Sequence, residues 1–162
     1  MWGRHKKAML EAGARAPSFL LKALDGAAVS LDEILAKGPA LLAFYKISCP
    51  VCQLTFPYLE RLAAGSGFQI IGISQDDASA TQGFNHRFGV TFPTLLDQAQ
   101  ESYPASNAYG ITNVPTLFLV ESDGHIASAF SGFSKRDMEA LGARALVKPF
   151  RPDENVPEWK AG

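Results

Sequence analysis

The sequence predicts an α/β domain with a mixed central sheet flanked by helices. Two largely apolar segments, 40–45 and 69–74, show no alternation of apolar and polar residues, which is typical of strands covered on both faces. Helical periodicity follows each segment, and strands that alternate with helices indicate an α/β fold. The apolar segment 116–120 and the turn at 122–124 add an antiparallel hairpin at one edge.

Each predicted element has a signal at its ends. An N-terminal hairpin opens the domain, because Asp25-Gly26 marks a turn between two extended segments. Ser30 or Asp32 is expected to cap a short helix that stops before Gly38-Pro39. The later predicted elements are a strand at 40–45, a helix from Cys49 to Gly65, a strand at 69–74, a helix at 79–88, an extended segment at 92–97, a helix at 101–109, strands at 116–120 and 125–130, and a helix at 135–147.

Length and composition predict one globular domain. The chain has 162 residues, of which 47% are apolar and 19% charged, and its formal net charge is −1. We place the domain at 17–148, between a loose N-terminal arm at 1–16 and an irregular, proline-containing tail at 149–162. The near-neutral charge and the lack of a long basic run give no support to a nucleic-acid partner.

The sequence predicts no membrane span. The basic start of the chain is not followed by an apolar segment of about 7–15 residues, as in a signal peptide. Nothing approaches the roughly 18 apolar residues of a spanning helix. As written, the chain is expected to be cytoplasmic, and a leader preceding it would make it periplasmic or secreted.

The two cysteines of the chain, Cys49 and Cys52, lie where the buried strand at 40–45 gives way to a helix. The first turn of a helix presents unpaired N–H groups and the positive end of the helix dipole, which favour a thiolate over a thiol. Pro50 suits this turn, because its missing N–H costs little there. Two cysteines cannot supply the four ligands of a structural zinc site. The pattern therefore predicts a redox centre, with no metal and no cofactor.

Two prolines accompany the cysteines. Pro57 lies inside the predicted helix, eight residues after Cys49, and is expected to kink it. Pro115 comes directly before the strand at 116–120, where its missing N–H does not interrupt the sheet. A cis Val114–Pro115 bond would bring this turn beside the cysteines.

At these residues the chain resembles the thioredoxin superfamily, whose CxxC helix carries a proline at this spacing and whose cis-proline precedes a late strand. More narrowly it is similar to the redoxin branch, the TlpA-like thiol-disulfide oxidoreductases and the related AhpC/TSA peroxiredoxins. The similarity covers about residues 16–147 and includes 16–31, 71–76 and 92–97. It implies a thioredoxin-like fold with an N-terminal hairpin and a strand–helix insertion.

The resemblance also implies roles for individual residues. Cys49 would be the exposed nucleophile that attacks a disulfide, and Cys52 the buried thiol that resolves the mixed disulfide. Val114 would offer backbone hydrogen bonds to an extended peptide. The implied substrate groove consists of Val114, Pro115, Pro50 and Val51. The implied partners are protein disulfides or dithiols and an upstream redox partner.

The group that assists the resolving thiol is an open question in this sequence. The buried aspartate of thioredoxins would fall near Ala43, which cannot transfer a proton. The candidate replacements are Asp76, Asp77, Glu60 or water, and we favour the 76–77 pair. Two acids at a helix start are, however, also explained simply by their favourable interaction with the helix dipole. Lys46, three residues before Cys49, could stabilise a thiolate or be a plain surface charge.

Two other functions stay open at this stage. In a peroxiredoxin, Cys49 would attack a hydroperoxide and Cys52 would resolve the sulfenic acid. Against this, the segment 42–49 lacks the proline and threonine of the peroxiredoxin signature. In a Cu(I) chaperone, both thiolates and one histidine would bind the metal, but none of the three histidines lies near the cysteines in sequence.

Overall fold

The structure is a computed structural model that describes residues 8–162. In this part of the chain, helices pack on both faces of a seven-stranded sheet. The helices are α1 Leu31–Ala36, α2 Pro50–Ala63, α3 Ala78–Phe88, α4 Pro104–Tyr109 and α5 Lys135–Ala145. The strands are β1 Leu20–Ala23, β2 Ala28–Ser30, β3 Ala40–Tyr45, β4 Gln69–Ser74, β5 Thr94–Leu96, β6 Thr116–Val120, β7 Ile126–Ser131, β8 Phe133–Ser134 and β9 Trp159–Lys160. None of the helices within 8–162 is long and apolar enough to cross a membrane.

The large sheet is mixed, as the sequence predicts. Its strand order is β2-β1-β5-β4-β3-β6-β7, in which β5, β4 and β3 are parallel and every other pair of neighbours is antiparallel. At the end of β3, Phe44 pairs with Thr116 of β6, and Tyr45 pairs with Ser74 of β4. The residues that follow β3 and β4 therefore meet those that precede β6 at one edge of the sheet.

Burial on both faces explains the unbroken apolar sequence of β3, whose six residues are all buried. Leu42 and Phe44 belong to the core under α1 and α4. Leu41 and Tyr45 belong to the core under α2, α3 and α5. Because successive side chains of a strand point to opposite faces, a strand that is buried on both faces is apolar at every position.

The helix predicted at 101–109 is wrong in its first three residues. A single 3-10 turn occupies Ala99–Glu101, and α4 starts only at Pro104. Between them Ser102 and Tyr103 have φ of 61° and 48°, the left-handed region, which a right-handed helix does not contain. Pro104 then takes the first helical position, where no N–H is needed.

Both ends of the described chain are held to the domain. In the arm expected to be loose, the N–H of Gly13 donates to the carbonyl of Ile126 at 2.8 Å. The last helix ends two residues earlier than predicted, at Ala145, because Leu146 adopts a φ of 60°. The tail at 149–162, expected to be irregular, contributes the short strand β9.

Candidate active site

The turn between β3 and α2 presents the first sulfur. Cys49 is the N-cap residue of α2, with extended backbone, and its Sγ accepts a hydrogen bond from the N–H of Cys52 at 3.2 Å. Pro50 begins the helix. The helix start therefore directs an N–H donor at the sulfur of Cys49.

The loop before β6 lies against the same sulfur. The Val114–Pro115 bond is cis, and the Cys49 thiol donates to the carbonyl oxygen of Val114 over 3.3 Å. Cys49 and Val114 are half-buried, whereas Pro115 is buried. The antiparallel pairing of β3 with β6 is what joins two segments separated by 65 residues.

The two thiols are free and differ strongly in environment. Cys52 is completely buried, whereas Cys49 is partly exposed. Burial raises the pKa of the Cys52 thiol far above its ordinary value, and the hydrogen bond to Cys49 raises it further. A backbone hydrogen bond with Lys46 partly opposes this rise in pKa, while the charge of Asp76 adds a smaller increase. One sulfur is thus accessible and the other is kept protonated.

The two acidic candidates for assisting Cys52 have different positions. Asp76 accepts a hydrogen bond from the N–H of Ile47 at 2.8 Å through Oδ2, which holds its carboxylate beside the β3–α2 turn. Asp77 caps α3 by accepting from the N–H of Ala80 at 2.8 Å and is exposed. Only the first of the two aspartates therefore faces the cysteines.

The other predicted site residues lie around this pair. Pro50 is exposed and Val51 half-buried in the first turn of α2. The side chain of Lys46 is exposed, and within residues 8–162 no carboxylate lies within salt-bridge distance of it. Glu60 is turned away, because its carboxylate accepts from the N–H of Thr91 at 2.9 Å.

A cavity of about 210 Å³ opens beside the Val114 loop. Its lining residues are Lys46, Gln75, Ile111, Thr112, Asn113 and Val114. Gln75 donates to Ser106 Oγ at 2.8 Å, and Ser106 Oγ donates to the fully buried Asp97 at 2.5 Å. A buried carboxylate therefore holds, through Ser106, the Gln75 amide that lines this cavity.

Sequence reasoning missed Gln75, although a signal was available. Gln75 directly follows β4, and ligands of parallel sheets bind at the carboxyl ends of the strands. The hydrogen bonds that link Gln75 through Ser106 to Asp97 join segments distant in sequence, so the sequence does not predict them. As to metals, residues 8–162 contain no group of three histidine, cysteine, aspartate or glutamate side chains that could hold an ion.

Comparison with known proteins identifies the family. The model of the AhpC/TSA family matches residues 12–129, which is more than half of the chain. The chain belongs to the AhpC/TSA family. This membership confirms the resemblance to the redoxin branch, and the match includes the cysteines, the Val114–Pro115 bond and the strand–helix insertion.

Individual relatives of this AhpC/TSA protein agree with that placement. The thiol-disulfide oxidoreductase ResA of Halalkalibacterium halodurans is 31% identical over 147 residues, which cover 88% of this chain and 81% of that protein. The thioredoxin domain of a thiol-disulfide oxidoreductase from Bacteroides vulgatus is similar in structure, with a TM-score of 0.73 at 23% identity over 86% of this chain and 99% of that one. The structure of the peroxidoxin BcpB from Mycobacterium tuberculosis has a TM-score of 0.69 at 24% identity and covers 85% of this chain and 94% of that one. These structures confirm the thioredoxin-like fold.

Proposed function

We propose that this protein is a thiol-disulfide oxidoreductase that exchanges two electrons with protein substrates through Cys49 and Cys52. The observation that carries the proposal is the pair of contacts at the Cys49 sulfur, which receives the Cys52 N–H on one side and meets the Val114 carbonyl on the other. The first contact supports a thiolate nucleophile, and the second adjoins the backbone on which a peptide would pair. The name of the ResA relative supports the same activity.

The first step is attack on a substrate disulfide. The Cys49 thiolate forms a bond to one substrate sulfur, the substrate S–S bond breaks, and the second substrate sulfur leaves as a thiolate that takes up a proton from solvent. A mixed disulfide results. The partial exposure of Cys49 suits this step, because the attacked sulfur must approach along the line of the breaking bond.

The second step returns the substrate as a dithiol. Cys52 loses its proton and attacks the Cys49 sulfur, the mixed disulfide breaks, and the remaining substrate sulfur leaves as a thiolate. The protein is now oxidised by two electrons as the Cys49–Cys52 disulfide, and the substrate is reduced by two. An upstream dithiol partner restores the protein by the same exchange in the opposite direction.

We assign Asp76 as the group that takes the proton of Cys52. The raised pKa of this thiol makes its ionisation the difficult part of the second step. Asp76 is close enough for its charge to act on Cys52, and its Oδ1 is not used in its hydrogen bond to Ile47. Proton transfer is direct or passes through one water molecule. Asp77, which caps α3, has no part in this step.

The groove supports an extended peptide as substrate. Val114 offers backbone groups, while Pro115, Pro50 and Val51 shape the surface around the sulfur. The cavity lined by Lys46 and Gln75 continues the groove on one side of Val114. An ammonium and amide groups in this cavity suit a polar or acidic side chain of the substrate on that side of Val114.

A turnover assay with two oxidants tests the proposal. Reduced protein, recycled by dithiothreitol, is expected to accelerate the reduction of insulin disulfides and to lose this activity when Cys49 is replaced by serine. Hydrogen peroxide is the comparison oxidant. Consumption of peroxide much faster than insulin reduction, with formation of a Cys49–Cys52 disulfide, would contradict the proposal and favour the peroxiredoxin alternative.

The direction of electron flow in cells is a separate question that the compartment decides. A reducing compartment keeps the pair as a dithiol ready to reduce substrates, whereas an oxidising one makes the pair depend on a dedicated electron donor. Acid quenching of cells followed by alkylation of free thiols measures the fraction of reduced Cys49 and Cys52 in either case.

A further inference from the structure

The C-terminal strap, defined as residues 149–162, lies outside the family match, which ends at residue 129. Its course carries it from the end of α5 across α2 and on to the loop that contains Val114. Nothing in the reaction described above uses this segment. Its contacts nevertheless bring it to the edge of the peptide groove.

The first part of the strap is fastened to the helix that carries the cysteines. Arg61 of α2 forms a two-pronged ion pair with Glu154, with N–O distances of 2.6 and 2.8 Å, and donates to the carbonyl of Pro149 at 2.9 Å. This pairing lowers the pKa of Glu154 to about 2. Phe150 packs edge-on against Tyr58 of α2, with ring centroids 4.9 Å apart.

The second part of the strap is paired as a strand. β9 runs antiparallel to β8, with Trp159 opposite Ser134, and the N–H of Lys135 donates to the carbonyl of Glu158 at 3.0 Å. Strand pairing, an ion pair and aromatic packing together hold the strap in one position. It is therefore a fixed part of the surface and not a lid.

Gly162 of the strap lies against the groove itself. A Cβ atom on Gly162 would overlap the carbonyl oxygen of Val114, the same atom that the Cys49 thiol contacts. Upstream, a Cβ atom on Gly132 would overlap the carbonyl oxygen of Lys160, and its φ of 73° also favours glycine. Backbone meets backbone at both crossings, because neither position carries a side chain.

We propose that the C-terminal strap is one wall of the groove and selects extended peptides with an apolar side chain near the reacting cysteine; the inference rests on the proposed function. Because Gly162 lies against the Val114 carbonyl, an extended chain bound at Cys49 and paired with Val114 would pass along Gly162. Trp159 precedes Gly162 by three residues, at most about 10 Å. Its side chain is 62% exposed, and an exposed tryptophan on a rigid surface is a typical anchor for a partner's apolar side chain.

The test compares peptide and small-molecule disulfides in the protein of residues 1–162, in a variant truncated after Glu158, and in Trp159→Ala. The truncation removes Trp159 and Gly162 but retains Glu154 and Phe150. For peptide disulfides with leucine next to cysteine, we expect kcat/KM to fall about tenfold, the range of an interface anchor. For hydroxyethyl disulfide, which is too small to reach the strap, we expect a change of less than about twofold.

A matched glycine pair covers the case in which the truncated chain does not fold. Gly162→Ala moves the end of the strap off Val114 and is expected to show the same selective loss on peptides. Gly83→Ala is its control, because a Cβ at Gly83 meets no atom within 4 Å.

Three results would contradict the proposal that the strap forms a wall of the groove. They are equal losses on both substrates, no change on either, and faster turnover of peptides after truncation, which would make the strap a lid. A wild-type protein that reacts with neither disulfide would instead contradict the proposed oxidoreductase function.

Discussion

Two neighbouring helix starts in this protein have the same architecture and different chemistry. The parallel strands β3 and β4 lie side by side, and each leads into a helix whose N-cap side chain accepts a hydrogen bond from an N–H three residues later. The cap of α2 is the sulfur of Cys49, at 3.2 Å from the N of Cys52. The cap of α3 is the carboxylate of Asp77, at 2.8 Å from the N of Ala80.

The difference between the two caps shows what turns a capping site into a reaction site. Sulfur is a weaker acceptor than a carboxylate, so α2 gains less stability from its cap than α3 does. In return, the cap of α2 carries the sulfur nucleophile of the proposed reaction, with a second thiol buried one turn away and the Val114 carbonyl in front of it. The start of α3 has the same N–H donors and an exposed carboxylate, and it serves stability alone.

Replacing each cap by serine is expected to produce the largest contrast between the two sites. Serine is a good N-cap, so Cys49→Ser and Asp77→Ser should both fold with nearly unchanged thermal stability. Cys49→Ser should lose all insulin reduction because the nucleophile is gone, whereas Asp77→Ser should retain the wild-type rate. Comparable residual activity in the two variants would mean that Cys49 is not the reactive cap and Asp77 not merely a structural one.

Replacing Asp76 by asparagine separates two effects of its charge. As a proton acceptor, Asp76 speeds the attack of Cys52, so Asp76→Asn should slow the decay of the mixed disulfide about a hundredfold, at the low end for acid–base groups. As a nearby negative charge it only raises the pKa of Cys52. Stopped-flow measurement of the decay decides between them, with Asp77→Asn as the control. A faster decay in Asp76→Asn would mean that the charge alone matters.

The raised pKa of Cys52 makes the stability of the reduced protein depend on pH. Below about pH 8.5 the thiol is protonated in both the folded and the unfolded chain, and its contribution is fully present. Above that pH the unfolded chain loses the proton first, so stability falls. Urea unfolding at pH 8.0 and 9.5 should show a decrease of about 1 kcal/mol in the reduced wild type, and a smaller decrease in Cys52→Ser. Equal slopes for the two proteins would exclude this origin.

Alanine at each cap gives the smallest expected effect and measures the caps themselves. Asp77→Ala should destabilise the protein by about 1 kcal/mol, because an N-cap acceptor is lost. Cys49→Ala should cost less, since sulfur accepts the hydrogen bond more weakly. Chemical denaturation of both variants in the reduced state provides the two values. A larger loss of unfolding free energy in Cys49→Ala than in Asp77→Ala would mean that the sulfur is the stronger of the two caps.

The sequence was sufficient for the parts of the site that local patterns determine. A buried strand, a CxxC and a proline at the start of a late strand bring Cys49 and Val114 to one edge of any sheet in which these strands pair. It was not sufficient to separate Asp76 from Asp77, because only the exact end of the turn decides which carboxylate faces Cys52. Nor did it predict the left-handed Tyr103, since tyrosine does not favour that conformation.

The position of the strap could not be predicted from the sequence for a different reason. Arg61 and Glu154 are 93 residues apart, and nothing in either segment marks them as partners. The prolines of the tail predicted irregular structure, and most of the tail has no regular structure. Its position comes from ion pairs, the packing of Phe150 against two aromatic rings, the pairing of β9 with β8 and the two glycine crossings, all of which depend on the folded domain.

A trapping experiment distinguishes the attacking cysteine, Cys49, from the resolving cysteine, Cys52. Reduced Cys52→Ser protein is mixed with a peptide disulfide, quenched with acid and digested for mass spectrometry. We expect a stable mixed disulfide on Cys49, formed at one equivalent, and no adduct on Cys52 when Cys49→Ser is treated in the same way. A peptide adduct on Cys52, or none on Cys49, would contradict this assignment.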